Sequence, residues 1–134
     1  MSGAKAPERI RPAGVFRERK DNVTEITDAV MMEELKKLKP YSVLILKVGS
    51  NRDRADIQQI VWQHARRNME LRAAGKLAIV CPINDGSDVC GVGVFDTSVE
   101  EVKTMMDSDP GVQAGIFVYE VHASRSFPGD RLPG

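Results

Sequence analysis

Hydrophobic positions along the chain change period several times, and each change marks an element. Tyr41–Val48 (YSVLILKV) is a nearly continuous apolar run rich in β-formers, which predicts a central strand. From Asp56 to Leu71 the spacing becomes helical, with Ile57, Ile60, Val61 and Leu71 on one stripe, and Gly75 is its expected left-handed stop. Leu77–Ile83 reads as a second strand whose Pro82 suits an edge or a strand end. Asn84-Asp85-Gly86-Ser87 carries turn chemistry, so that strand folds back as a hairpin into Val89–Asp96. Gly91 and Gly93 point to one face there, leaving it bare for a helix, backbone or ligand. Thr97 or Ser98 caps a further helix carrying Val99, Val102, Met105 and Met106, ended by Asp107 to Gly111. Gln113–His122 alternates as the last strand, and Ser124–Gly134 reads as a tail.

Upstream, residues 1–21 have the composition of a flexible basic arm. Asn22, with Glu25 three residues on, resembles a capping pair for a helix. Its stripe is Ile26, Val30, Met31, Leu35 and Leu38, and Pro40 ends it. The expected organisation is an arm and helical extension over 1–40, one domain over 41–130, and a short tail over 131–134.

Within 41–130 the order is β-α-β-β-α-β, the split βαβ or ferredoxin-like pattern of the α+β class. Right-handed crossovers give a four-stranded antiparallel sheet of spatial order 4-1-3-2, with both helices on one face. Apolar residues alternate onto the other face, which needs a cover. A second copy, forming a homodimer, is favoured over the N-terminal helix.

Charge narrows the partners. The 19 basic and 19 acidic residues cancel, which argues against duplex nucleic acid or an anionic membrane. No apolar run approaches the roughly 18 residues of a membrane span, and no signal-peptide core opens the chain, so the cytoplasm is the expected compartment. Cys81 and Cys90 have no metal-ligand spacing and fall symmetrically about the turn, where buried thiols facing across a hairpin are expected. No phosphate loop, serine-nucleophile motif or metal cluster is present, so neither cofactor nor metal is expected.

The polar residues on the helical stripe carry the candidate chemistry. His64 and Asn68 lie seven and eleven residues beyond Ile57, on the face that should be buried. Burying unpartnered polar groups costs about 1–3 kcal/mol, so His64 is expected to line a pocket between helix and sheet. The bland alternative is a core-edge histidine bonded to a backbone carbonyl.

Here the chain resembles the YCII-related family. The resemblance rests on His64 in a helix, Gly75-Lys76-Leu77, a proline closing the second strand and a glycine-bearing third strand. Ser98-Val99-Glu100-Glu101 then leads to Asp109-Pro110-Gly111-Val112-Gln113-Ala114-Gly115-Ile116-Phe117. It covers about Tyr41 to Asp130 and implies a dimeric α/β barrel of ferredoxin-like units. It also implies a small pocket holding a histidine and an aspartate, which map to His64 and Asp109. Cys81-Pro82 stands where members often carry Gly-Pro, and the N-terminal extension lies outside the family domain.

A His64–Asp109 pair is a general acid/base device needing no metal or nucleophile: the carboxylate fixes one ring nitrogen and leaves the other as a proton acceptor. Asn68 would orient a substrate carbonyl, and Arg125 is either a clamp for a substrate carboxylate or, the favoured reading, a solvated arginine. The resulting expectation is a small cofactor-free enzyme for isomerisation, elimination or hydrolysis of a small carbonyl compound. The alternative is a non-catalytic dimeric module that binds a small molecule or a protein.

Overall fold

The computed structural model describes residues 16–18 and 23–134. By internal contacts the chain divides into two compact units, one holding the described residues up to Leu38 with Phe127–Gly134, the other spanning Lys39–Ser126.

In the first unit, β1 (Phe16–Glu18) pairs antiparallel with β2 (Thr24–Ile26), and α1 runs over Asp28–Leu35. The helix expected to start at Asn22 therefore starts six residues later. Thr27 is its cap: the backbone is extended there and the hydroxyl accepts from the Val30 N–H at 3.3 Å. Glu25, read as half of a capping pair, lies instead in β2, while Asn22 and most of the basic arm fall outside the described residues. No residue of α1 is buried, and Met31, Met32 and Leu35 stand exposed.

The second unit is the α+β ferredoxin-like domain. Its elements are β3 (Lys39–Val48), α2 (Ile57–Ala73), β4 (Leu77–Pro82), β5 (Val89–Phe95), α3 (Val99–Asp107), α4 (Pro110–Gln113) and β6 (Phe117–Ser126). The sheet is antiparallel with order β4-β5-β3-β6, which is the 4-1-3-2 order of the split βαβ read from its other edge. Pro40 does not stop a helix; it lies inside β3, opposite Arg125 of β6. Pairing with β5 begins only at Ser42, so Pro40 needs no ladder N–H on that side. The last strand also starts later than Gln113, because Asp109 and Pro110 begin the short α4 and Gly115 turns the chain at φ 75°.

Alternation along β3 puts Ser42, Leu44 and Leu46 under the helices. They meet Phe95, Phe117, Ile60, Val102 and Met106 in the core. Ser42 is the polar exception, and its hydroxyl donates to the Thr97 carbonyl at 2.7 Å. Gly93 lies on this face opposite Leu44, and a Cβ there would sit 3.2 Å from Leu77 and 3.3 Å from Phe95. The gap left by that glycine is thus filled by core side chains, while Gly91 faces the Cys81 carbonyl. The cysteines do not face each other: Cys81 is opposite Val92, and the Ile83 N–H bonds to the Cys90 carbonyl. Both are free thiols.

On the other face Val43, Ile45, Val92 and Val94 alternate beside Glu120 and His122. The Glu120 carboxyl is held below the usual range by its hydrogen bond to His122 and by Lys47.

Tyr119 points toward α3, where its hydroxyl donates to the Asp107 carboxylate at 2.6 Å. Burial of the phenol and that bond push its pKa up to about 12. A raised folded-state pKa means the native state holds this proton more tightly than the unfolded chain. The contribution is therefore complete below about pH 10 and is lost as pH rises through about 12. Urea melts should show the stability advantage of the protein over Tyr119→Phe shrinking across that window.

Candidate active site

α2 is positioned by its apolar stripe: Ile60 is buried, and Ile57, Val61 and Leu71 pack against the core. Asp56 precedes the helix without capping it, its carboxylate being held instead by Arg54 at 2.9 and 3.0 Å. At the far end Gly75 takes φ 77°, and the Lys76 N–H closes on the Leu71 carbonyl at 3.0 Å. His64 follows Ile60 by one turn and is likewise buried on the sheet side.

The facing wall is built from the turn before β6. Asp109 caps α4, with its Oδ2 accepting from the backbone N–H groups of Gly111 at 2.9 Å and Val112 at 3.2 Å. Asn51, just past β3, ties this segment down: its N–H bonds to the Gly115 carbonyl and its side-chain amide donates to the Ala114 carbonyl at 2.8 Å. The end of β3 is thereby joined to the turn that carries Asp109.

These two walls bring His64 and Asp109 together. Nδ1 of the ring lies 2.9 Å from each carboxylate oxygen, and the Asp109 side chain is 0% exposed. An ionised carboxylate only accepts, so Nδ1 carries a hydrogen, and in the neutral ring Nε2 then carries the lone pair. The partner at Nε2 fits that tautomer, because the Asn68 amide donates to it at 3.2 Å. The imidazole packs against the Phe117 ring at a tilt of 48°, with centroids 4.7 Å apart. Phe117 reaches that position because residue 111 is glycine; a Cβ there would come within 2.5 Å of the ring.

Three of the four residues singled out from the sequence thus form one cluster. Arg125 does not join it. It pairs with Pro40 near the other end of β6, eight residues from Phe117, or roughly 26 Å along an extended strand. A clamp on a substrate at His64 is out of its reach within this chain. Nearer the pair lies Arg67, one turn beyond His64, with Nη1 at 3.9 Å from Asp109 Oδ1. The signal for Arg67 was its spacing of three from His64, which puts both on one helix face. An apolar groove lined by Ile57, Gln58, Val61, Trp62 and Ala65 runs along α2, and none of the cluster residues lines it. Among the described residues, no group of three or more His, Cys, Asp or Glu side chains is placed to hold a metal ion, and no helix is long and apolar enough to cross a membrane.

No protein-family model matches the chain, and no curated protein matches it. Among solved structures it is similar to 5-chloro-2-hydroxyhydroquinone dehydrochlorinase (TftG) from Burkholderia phenoliruptrix AC1100, in complex with 2,5-dihydroxybenzoquinone. Identity is 18% and the TM-score 0.43, over 61% of this chain and 90% of that one. A likeness at that level carries no argument about chemistry, which has to come from the site itself.

Proposed function

We propose that the chain is a diverged member of the YCII-related family and a small cofactor-free enzyme for acid/base chemistry on a small carbonyl compound. His64 is its base through Nε2, and Asp109 is the partner that orients it. One observation carries this reading: a fully buried carboxylate lies 2.9 Å from Nδ1 and so presents Nε2 as the acceptor. Asn68 donates to that nitrogen at rest and would turn to a substrate oxygen when the site is filled. A second copy covering the Val43, Ile45, Val92 and Val94 face would complete a dimeric barrel, since an apolar sheet face calls for a cover. The two free thiols suit a reducing compartment such as the cytoplasm.

The experiment is solvent deuterium incorporation into a panel of small keto acids, lactones and enolisable ketones, followed by proton NMR. The protein should accelerate exchange for at least one compound, and His64→Gln should slow it by about 10²-fold or more. Exchange by His64→Gln at the rate of the unaltered protein would refute the base assignment.

One observation favours the non-catalytic alternative. The single available lone pair of His64 already has a donor in Asn68, so the cluster is satisfied as it stands. A binding module would catalyse no exchange with any compound in the panel.

A further inference from the structure

Among the described residues, one buried side-chain polar atom lacks a hydrogen-bond partner, and it is Nη1 of Arg67. Its nearest acidic oxygen, on Asp109, is 3.9 Å away, which is an ion-pair distance but too long for a hydrogen bond. Asp109 is already engaged elsewhere, by His64 on both oxygens and by two backbone N–H groups on Oδ2. A guanidinium presents five N–H donors in a planar fork, and here three-quarters of the side chain is out of water. Arg54 shows the contrast, being closed bidentately by Asp56.

A second cation stands nearby. The Arg52 guanidinium lies 5.6 Å from the centroid of the Phe117 ring, the same ring that packs on His64. Its other contact is the Cys90 thiol at 3.9 Å, not a carboxylate. With the imidazole in the neutral form that accepts from Asn68, a carboxylate at Asp109 and two guanidinium groups, the formal charge around Phe117 is +1. That balance suits a monoanion.

We propose that the His64 site takes a small organic carboxylate, bound by the fork of Arg67 with Arg52 adding charge across Phe117. The inference rests on the acid/base reading of His64 and deepens it by naming the substrate class. Arg67 and His64 are one helical turn apart on the same face of α2. A carboxylate on the fork would therefore place the rest of a small molecule beside Nε2, in the position Asn68 occupies at rest. Carboxylate is the preferred anion because its two oxygens match the fork.

The test is an NMR titration with benzoate and, as a neutral analogue, benzyl alcohol, reading the His64 ring C–H and the Arg67 side-chain N–H. Benzoate should give saturable shifts at both groups, and benzyl alcohol neither. Arg67→Gln should weaken benzoate at least tenfold. Arg67→Lys, which keeps the charge but not the fork, should fall between, and it carries the comparison if Arg67→Gln fails to fold. Equal binding of benzyl alcohol, unchanged benzoate affinity in both variants, or no saturable shift would overturn the proposal.

The two readings fail separately. Deuterium exchange that depends on His64, without benzoate binding that depends on Arg67, removes only the carboxylate class. Benzoate held by Arg67 without His64-dependent exchange removes the acid/base reading.

Discussion

Asp109→Ala should be among the most destabilising single substitutions in the Lys39–Ser126 unit, at about 3–4 kcal/mol. Two losses combine. The Gly111 and Val112 N–H groups at the start of α4 lose their acceptor, and a missing cap costs roughly 1 kcal/mol. The His64 Nδ1–H then faces a void in a buried place, and a stranded donor costs about 1–3 kcal/mol. The Arg67 Nη1 would also lose its counter-charge. For a domain of this size the melting temperature should fall by roughly 12–32 °C, readable by circular dichroism. Asp109→Asn is the contrasting case, because asparagine caps a helix about as well as aspartate. It should cost far less than the alanine variant. A smaller loss for alanine than for asparagine would mean that the carboxylate does not hold the turn.

Gly49→Ala should do comparable damage from the other side of the same joint. An alanine Cβ at this position would lie 2.2 Å from the Gly115 carbonyl oxygen and 2.9 Å from the Ile116 carbonyl carbon, both backbone atoms. Backbone cannot swing aside as a long side chain can, so relief requires the end of β3 to part from the turn before β6. Parting them breaks the Gly49 N–H bond to Ile116, at 2.8 Å, and the Asn51 bonds to Gly115 and Ala114. Overpacking alone costs about 1–3 kcal/mol, and the lost bonds bring the total to roughly 3–5 kcal/mol. The tie also places Asp109, so the variant should show a disturbed His64 ring environment even when cold and folded. A melting temperature within a few degrees of the unaltered protein would show that the joint is slack.

Most of this architecture was legible because its elements are long and their periods distinct. The apolar run at Tyr41–Val48, the stripe through Ile57, Ile60 and Val61, and the turn at Asn84–Ser87 each correspond to an element or connection of the observed domain. The N-terminal hairpin was not legible, since strands as short as Thr24–Ile26 carry no period to read. Pro40 misled for a local reason: it normally ends a helix, yet it is tolerated in β3 where β5 has not begun to pair.

At the site, His64 was visible as a polar residue on an apolar stripe, whereas Asp109 was reached through the family resemblance, since an aspartate before Pro110-Gly111 is by itself ordinary turn chemistry. Arg125 was attractive for its charge, but strand register puts it at the wrong end of β6. Arg67 escaped notice because an arginine on a helix reads as solvated, and only the fold shows its Nη1 buried. Gly111 and Phe117 belong to the resemblance, but their contact with each other, and through it with His64, is a matter of packing that no spacing encodes.

The central claim is that the buried carboxylate makes His64 a base. Asp109→Asn keeps the cap but replaces the acceptor facing Nδ1 with an amide that can donate. The imidazole is then free to place its hydrogen on Nε2, which removes the lone pair the chemistry needs. The measurement is the rate of solvent deuterium incorporation, into whichever compound the unaltered protein exchanges, for that protein and for the folded Asp109→Asn variant. A fall of about 10²–10⁴-fold with the fold intact is the predicted result. An unchanged rate in the folded variant would contradict the account.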